Sequence, residues 1–193
     1  ILLFIFAAEI LGEISAFYMK FPYWDTVLHT LNGFLCGAIG FSLVEIMNGN
    51  KRLRFELSPL FMAVVAFCFS MTIGVTWEIF EFSMDSLYHL DMQKDTIIHS
   101  IYTVSLDPMN DNNCVAVTGI EDVVLNGRDL GLGGYLDIGL MDTMYDLIVN
   151  FIGAFVFSVL GYGYVKYKDT KSFVNGLIPE SWSDEKKAGS HTE

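Results

Sequence analysis

Three stretches of this chain place ionisable groups inside apolar runs, spaced so that they share one helix face. Asp25 and His29 are four apart, with Asn32 three further on. Glu78, Glu81 and Asp85 are spaced three and four, and Asp142, Asp146 and Asn150 four and four. Residues three or four apart stack on one side of an α-helix. Carboxylates crowded at one level repel one another, and a bound cation relieves the repulsion. Carboxylate and imidazole donors suit Mg²⁺, Mn²⁺, Ca²⁺, Fe²⁺ or Zn²⁺. The spacing therefore points to a divalent metal ion held by Asp25, His29, Glu78, Glu81, Asp142 and Asp146. His29 and Glu81 are the candidates for general-base or other catalytic work. Each residue also has a plainer reading. Asp25 and Asp142 precede apolar runs and suit helix N-caps. A lone His29 suits a hydrogen-bonded core position, Glu78 and Glu81 suit snorkelling near an interface, and Asn150 suits a bond between helices.

The elements that must carry these groups are apolar runs. Four are long enough to cross about 30 Å of hydrocarbon: Ile1 to Met19, Asp25 to Met47, Leu57 to Phe82 and Met141 to Val165. Lipid offers no partner to an open backbone, so each is expected to be helical. Composition agrees. Of 193 residues, 52% are hydrophobic and 18% charged, and the mean hydropathy is +0.43, too apolar for an ordinary soluble domain. A net charge of −12 argues against nucleic acid as a partner. Three cysteines make no disulfide framework. The chain opens on Ile1, inside an apolar run and with no basic stretch before it, which argues against a signal peptide. Further spans upstream of residue 1 are compatible with that start.

Basic residues give direction. Lys51, Arg52 and Arg54 lie between the second and third runs, and Lys166, Lys168, Lys171, Lys186 and Lys187 follow the fourth. That side is read as cytoplasmic, together with the C-terminus. The second run then starts, the third ends and the fourth starts at the opposite surface, so all three polar faces share one level near the extracytoplasmic side.

The expected architecture is an all-α polytopic membrane protein, a bundle of about four transmembrane helices spanning residues 1–178. An external insertion at 83–140 and a polar tail at 179–193 complete it. Within the insertion, residues 84–101 read as a surface helix carrying Asp95 and His99. Val115-Ala-Val-Thr and Val123-Val-Leu read as strands, with Asn126-Gly127 as a hairpin turn. Gly33-Phe-Leu-Cys-Gly37 is a GxxxG pair that permits close helix approach. Pro59 suits a first helical turn.

The motifs Asp25-xxx-His29, Trp77-Glu78-xx-Glu81 and Asp142-Thr-xx-Asp146-xxx-Asn150-xx-Gly153-Ala154 resemble those of YjdF-like bacterial membrane-spanning proteins. They also resemble the wider VanZ-like group, where an Asp-Lys-xx-His helix, a Glu-bearing helix and an Asp-xxx-Asn-xx-Gly helix recur. Met92-Gln93-Lys94-Asp95-Thr96 is similar to a segment of YjdF-like proteins. The chain departs from the VanZ-like pattern at Thr26, where Lys is usual, and in its longer external loop. The VanZ-like group is associated with glycopeptide tolerance and the cell envelope. The resemblance implies a bacterial cytoplasmic membrane location and a shared polar set of Asp25, His29, Glu78, Glu81, Asp142, Asp146 and Asn150.

Three functions fit these readings. One is a metal-dependent envelope enzyme acting on membrane lipid or a lipid-linked head group. Another is a cation- or proton-coupled transporter, although Gly33 to Val44 and Phe151 to Leu160 carry no charge to continue a path. The last is a non-catalytic accessory membrane protein with a structural polar or metal cluster.

Overall fold

A computed structural model describes residue 4 and residues 6–48 and 57–167. Three long helices dominate it: α2 (Trp24–Asn48), α3 (Pro59–Tyr88) and α4 (Leu140–Tyr167). At 25, 30 and 28 residues and about 1.5 Å per residue, each exceeds the hydrocarbon thickness. All three are apolar enough to cross a membrane. The first apolar run is different. A wide π-helical segment, Phe6–Ile14, is followed by α1 (Phe17–Lys20), and Ala16 between them takes a left-handed conformation (φ 56°). That break interrupts the run, so the described residues supply three crossing helices rather than the four expected. The bases Lys51, Arg52, Arg54, Lys168, Lys171, Lys186 and Lys187, and the tail 179–193, lie outside the described residues.

The chain divides into two compact units, residues 1–77 with 145–193 and residues 78–144. In the first unit, α2 and α4 meet backbone to backbone. A Cβ on Gly33 would overlap the Asn150 carbonyl, and one on Gly153 would overlap the Thr30 carbonyl. Gly37 faces the Phe157 side chain, and a Cβ there would lie 3.3 Å from it. The expected glycine pair thus lies at the close approach. Beyond it, Ala38, Phe41, Val44, Met62, Ala66 and Phe157 form the apolar core, with Phe34 edge-on to Phe157 at 5.0 Å. Helix α3 starts as Pro59 suggested: Ser58 Oγ accepts the Phe61 amide at 3.2 Å, and Pro59 needs no amide partner. Hydroxyls elsewhere on the helices donate to the carbonyl one turn back, Thr30 to Thr26, Ser42 to Ala38, Thr72 to Cys68 and Thr76 to Thr72.

The second unit holds the far end of α3, the first turn of α4 and three antiparallel strand pairs between them. These are β1 (Ile97–Ile98) with β6 (Tyr135–Leu136), β2 (Ser100–Thr103) with β3 (Val115–Thr118), and β4 (Val124–Leu125) with β5 (Arg128–Asp129). The Asn126-Gly127 turn has positive φ at both residues, as a tight hairpin requires. The surface helix expected over 84–101 is replaced by the end of α3 and by β1 and β2. His89 turns left-handed (φ 57°) and stops α3. The Asp85 carboxylate then accepts the Met92 and Gln93 amides at 2.7 and 2.8 Å. The branched residues Ile97, Ile98 and Ile101 find strand partners, and such residues suit strands better than helices.

Aspartates organise this unit. Asp137 accepts amides from Thr96 (2.8 Å), Gly139 (3.2 Å) and Met141 (2.8 Å), tying β1 to the start of α4. Burial pushes the Asp137 carboxyl up, but these bonds outweigh it and hold it below its ordinary value. Asp107 does likewise in its turn, with the amides of Asn113, Met109 and Asp111 lowering it.

Two outcomes are expected. Gly153→Val should lower stability in detergent by about 1–3 kcal/mol or abolish folding, since a well-packed site cannot absorb the added methyls. Gly163→Ala, with nothing within 4 Å of the new methyl, should not; thermal unfolding checks both. The lowered Asp137 carboxyl stabilises the fold above the ordinary carboxylate range near pH 4 and loses this as pH falls through the folded value. Exchange protection of the Thr96, Gly139 and Met141 amides should fall in that acidic window, and Asp137→Asn should weaken it at neutral pH.

Candidate metal centre

The buried stripe of α2 runs through His29, Gly33, Gly37, Phe41 and Val44, and that of α4 through Asp146, Asn150, Gly153, Phe157 and Gly161. One end of each stripe is polar and the other is apolar core. The glycine contact that joins the helices therefore also aligns their polar ends. His29 Nε2 lies 3.6 Å from Asp25 Oδ1 and 3.9 Å from Asp146 Oδ2. One ligand atom from each of Asp25, His29 and Asp146 falls within 4.8 Å of the others. His29 and Asp146 are buried, whereas the Asp25 side chain is about one-third exposed. An ionised group inside an apolar helix costs about 2.5–3.5 kcal/mol on insertion scales, and here such groups face one another across α2 and α4.

Beneath this trio lies a layer of amides. Asn150, 1% exposed, receives the Asn32 Nδ2 at 3.4 Å and donates towards Met71 Sδ at 3.6 Å. Cys36 Sγ donates to Asn32 Oδ1 at 3.4 Å. Asn150 thus serves the interhelical role its residue type suggested. Helix α3 enters this layer through small residues. Ser70 Oγ donates to the Gly33 carbonyl at 2.7 Å, and a Cβ on Gly74 would strike the Asn150 carboxamide. Ser70 and Gly74 escaped the sequence reading. The signal was there, since 70, 74, 78 and 81 follow one stripe of a 3.6-residue helix. Glu78 and Glu81 continue that stripe and are both buried.

Several of the other expected positions lie in the second unit. Asp142 is the third residue of α4, and its Oδ2 accepts the Lys94 amide at 2.8 Å; the amide at the start of α4 goes instead to Asp137. Asp85, on the same face as Glu81, is used by the two amides that follow α3. Asp95 and His99 do not share a helix. His99 Nδ1 lies 3.0 Å from the Ile120 carbonyl. Partial desolvation and the acids Asp91, Asp137 and Asp85 push the Asp95 carboxyl up, with Lys94 opposing. Arg128 is exposed on β5.

The donor set fits a divalent ion. Bound carboxylate oxygen and imidazole nitrogen sit about 2.0–2.2 Å from such a metal, so neighbouring ligand atoms lie roughly 3–4 Å apart, and 3.6 and 3.9 Å fall in that range. Both separations exceed a hydrogen bond.

Long apolar helices around a buried acid–imidazole group define a membrane protein with a polar centre. The family comparison agrees: residues 1–167 match the model of the DUF2238 predicted membrane proteins, and the chain belongs to that family. No curated protein and no solved structure matches it.

Asn150→Ala is expected to cost about 1–3 kcal/mol, because Asn32 keeps an amide whose partner is gone. That exceeds the average of about 0.6 kcal/mol for interhelical hydrogen bonds in lipid. Unfolding of the detergent-solubilised variant measures it.

Proposed function

We propose that this protein binds a divalent metal ion through Asp25, His29 and Asp146, and that the ion serves a reaction on a lipid or envelope head group. The observation that carries the reading is the convergence of one imidazole and two carboxylates from two helices within 4.8 Å, in a bundle whose other buried residues are mostly small or apolar. Glu78 and Glu81, next on the α3 stripe after Ser70 and Gly74, are buried carboxylates of the second unit. The basic residues Lys51, Arg52 and Arg54 support a cytoplasmic side opposite this end of α2. The site then sits at the extracytoplasmic surface of a bacterial cytoplasmic membrane, at head-group depth. The motif likeness to the VanZ-like and YjdF-like groups supports an envelope role.

A bound ion would act as a Lewis acid and lower the proton affinity of a water beside it. The chain's own residues would do the rest. Asp25, the most exposed of the three, stands at the entrance. Asp146 completes the set from the buried side.

The test is elemental analysis of protein purified in mild detergent, followed by titration with Mg²⁺, Mn²⁺, Fe²⁺ and Zn²⁺. About one ion per chain is expected, and His29→Ala and Asp146→Asn should each weaken retention by roughly 10–100-fold or more. Full metal content in His29→Ala and Asp146→Asn, or no binding of any of the four by the wild type, overturns the proposal.

A further inference from the structure

The segment between α3 and α4 buries no large apolar side chain. From residue 89 to 139 the buried side chains are the carboxylates Asp107 and Asp137. Several of its large apolar residues face outward: Leu125 is 59% exposed, and Leu130, Leu132, Tyr135 and Ile138 are exposed as well. Two-stranded pairs of this size are marginal alone in water, and apolar side chains left exposed on them call for a covering surface. Ile138 is the sharpest case. It is 82% exposed and takes a left-handed φ of 55°, which a branched side chain rarely adopts. An asparagine or glycine would serve the turn better if the side chain met only water.

What covers this surface follows from where the segment is tied. Within the second unit, Asp85 binds the amides just after α3, Asp137 binds β1 to the first turn of α4, and Asp142 binds the Lys94 amide. Both ends of the segment are thereby fastened to ends of helices that cross the membrane. The apolar residues Leu130, Leu132, Tyr135 and Ile138 lead directly into Leu140 of α4, exposed like them, so the outward apolar surface continues into a membrane-crossing helix. Charge selects among lipids. Residues 89–139 hold eight acids against Lys94 and Arg128, which repels anionic head groups.

We propose that this strand-bearing insertion lies in the head-group layer of the bilayer, with Leu125, Leu132 and Ile138 in the interface, and that it takes zwitterionic rather than anionic lipid. The proposal rests on the chain spanning a membrane and is independent of the metal centre.

The test uses the full chain with Cys36, Cys68 and Cys114 replaced by Ala. Single cysteines are introduced as Leu125→Cys, Leu132→Cys and, in the exposed polar turn, Asn112→Cys. Each is labelled with an environment-sensitive fluorophore and placed in phosphatidylcholine nanodiscs containing a lipid spin-labelled near its head group. The labels at 125 and 132 should emit to the blue of that at 112 and be quenched about twofold or more above it. Replacing part of the lipid with phosphatidylglycerol at low salt should reduce the quenching. Emission and quenching equal to the Asn112 control would overturn the proposal. So would a blue shift without lipid quenching, which puts a protein surface, such as a second copy, on the patch. Stronger quenching in phosphatidylglycerol would overturn the lipid preference. Ile138→Cys gives the same readout at a separate position should either leucine variant fail to fold.

Discussion

The approach of α2 to α4 at Gly33 and Gly153 is the contact on which the candidate centre depends. At both positions a single added carbon would collide with the neighbouring backbone. Helices this close have almost no freedom in register, so the residues one turn away are fixed too. His29 lies four before Gly33, and Asp146 lies seven before Gly153. Their 3.9 Å separation follows from that register rather than from their mutual attraction. Without the glycines the helices would stand a side chain apart, and the imidazole and carboxylate would be beyond joint reach of one ion.

The two ends of the helix stripes answer to different physics. Around Phe41 and Phe157 the contacts are apolar. In lipid such contacts gain little from the hydrophobic effect, because the alternative neighbour is also hydrocarbon; they gain from close packing. At the other end the groups cannot be left to lipid at all. Asn32, Asn150, Ser70, His29 and Asp146 each reach a group on another helix. The apolar end thus supplies tolerance and the polar end supplies specificity.

Much of this was legible in the residues because periodicity survives translation into structure. The three long helices, the GxxxG approach, Pro59 at a helix start, the Asn126-Gly127 turn and the Asp25, His29 and Asp146 grouping all follow from spacing. The misreadings share a cause: local pattern does not report tertiary partners. Ile97, Ile98 and Ile101 fit a helical face by count, yet two strands distant in sequence, β3 and β6, gave them pairing. Asp85 had the right spacing for a polar face, and the loop amides of Met92 and Gln93 use it as their acceptor. The first apolar run had length enough, and a left-handed Ala16, with no glycine or proline to announce it, divided it. Ser70 and Gly74 were overlooked because a small residue carries no chemistry of its own; their contribution is the space they leave.

The back-bonded hydroxyls bear on biogenesis. Thr30, Ser42, Thr72 and Thr76 each satisfy their hydrogen within their own helix, so these side chains impose no debt on a helix leaving the translocon alone. α2 and α3 can therefore partition into lipid one after the other as they are synthesised. The Asn32–Asn150 and His29–Asp146 approaches, by contrast, form only when α4, the last of the three to emerge, has joined α2.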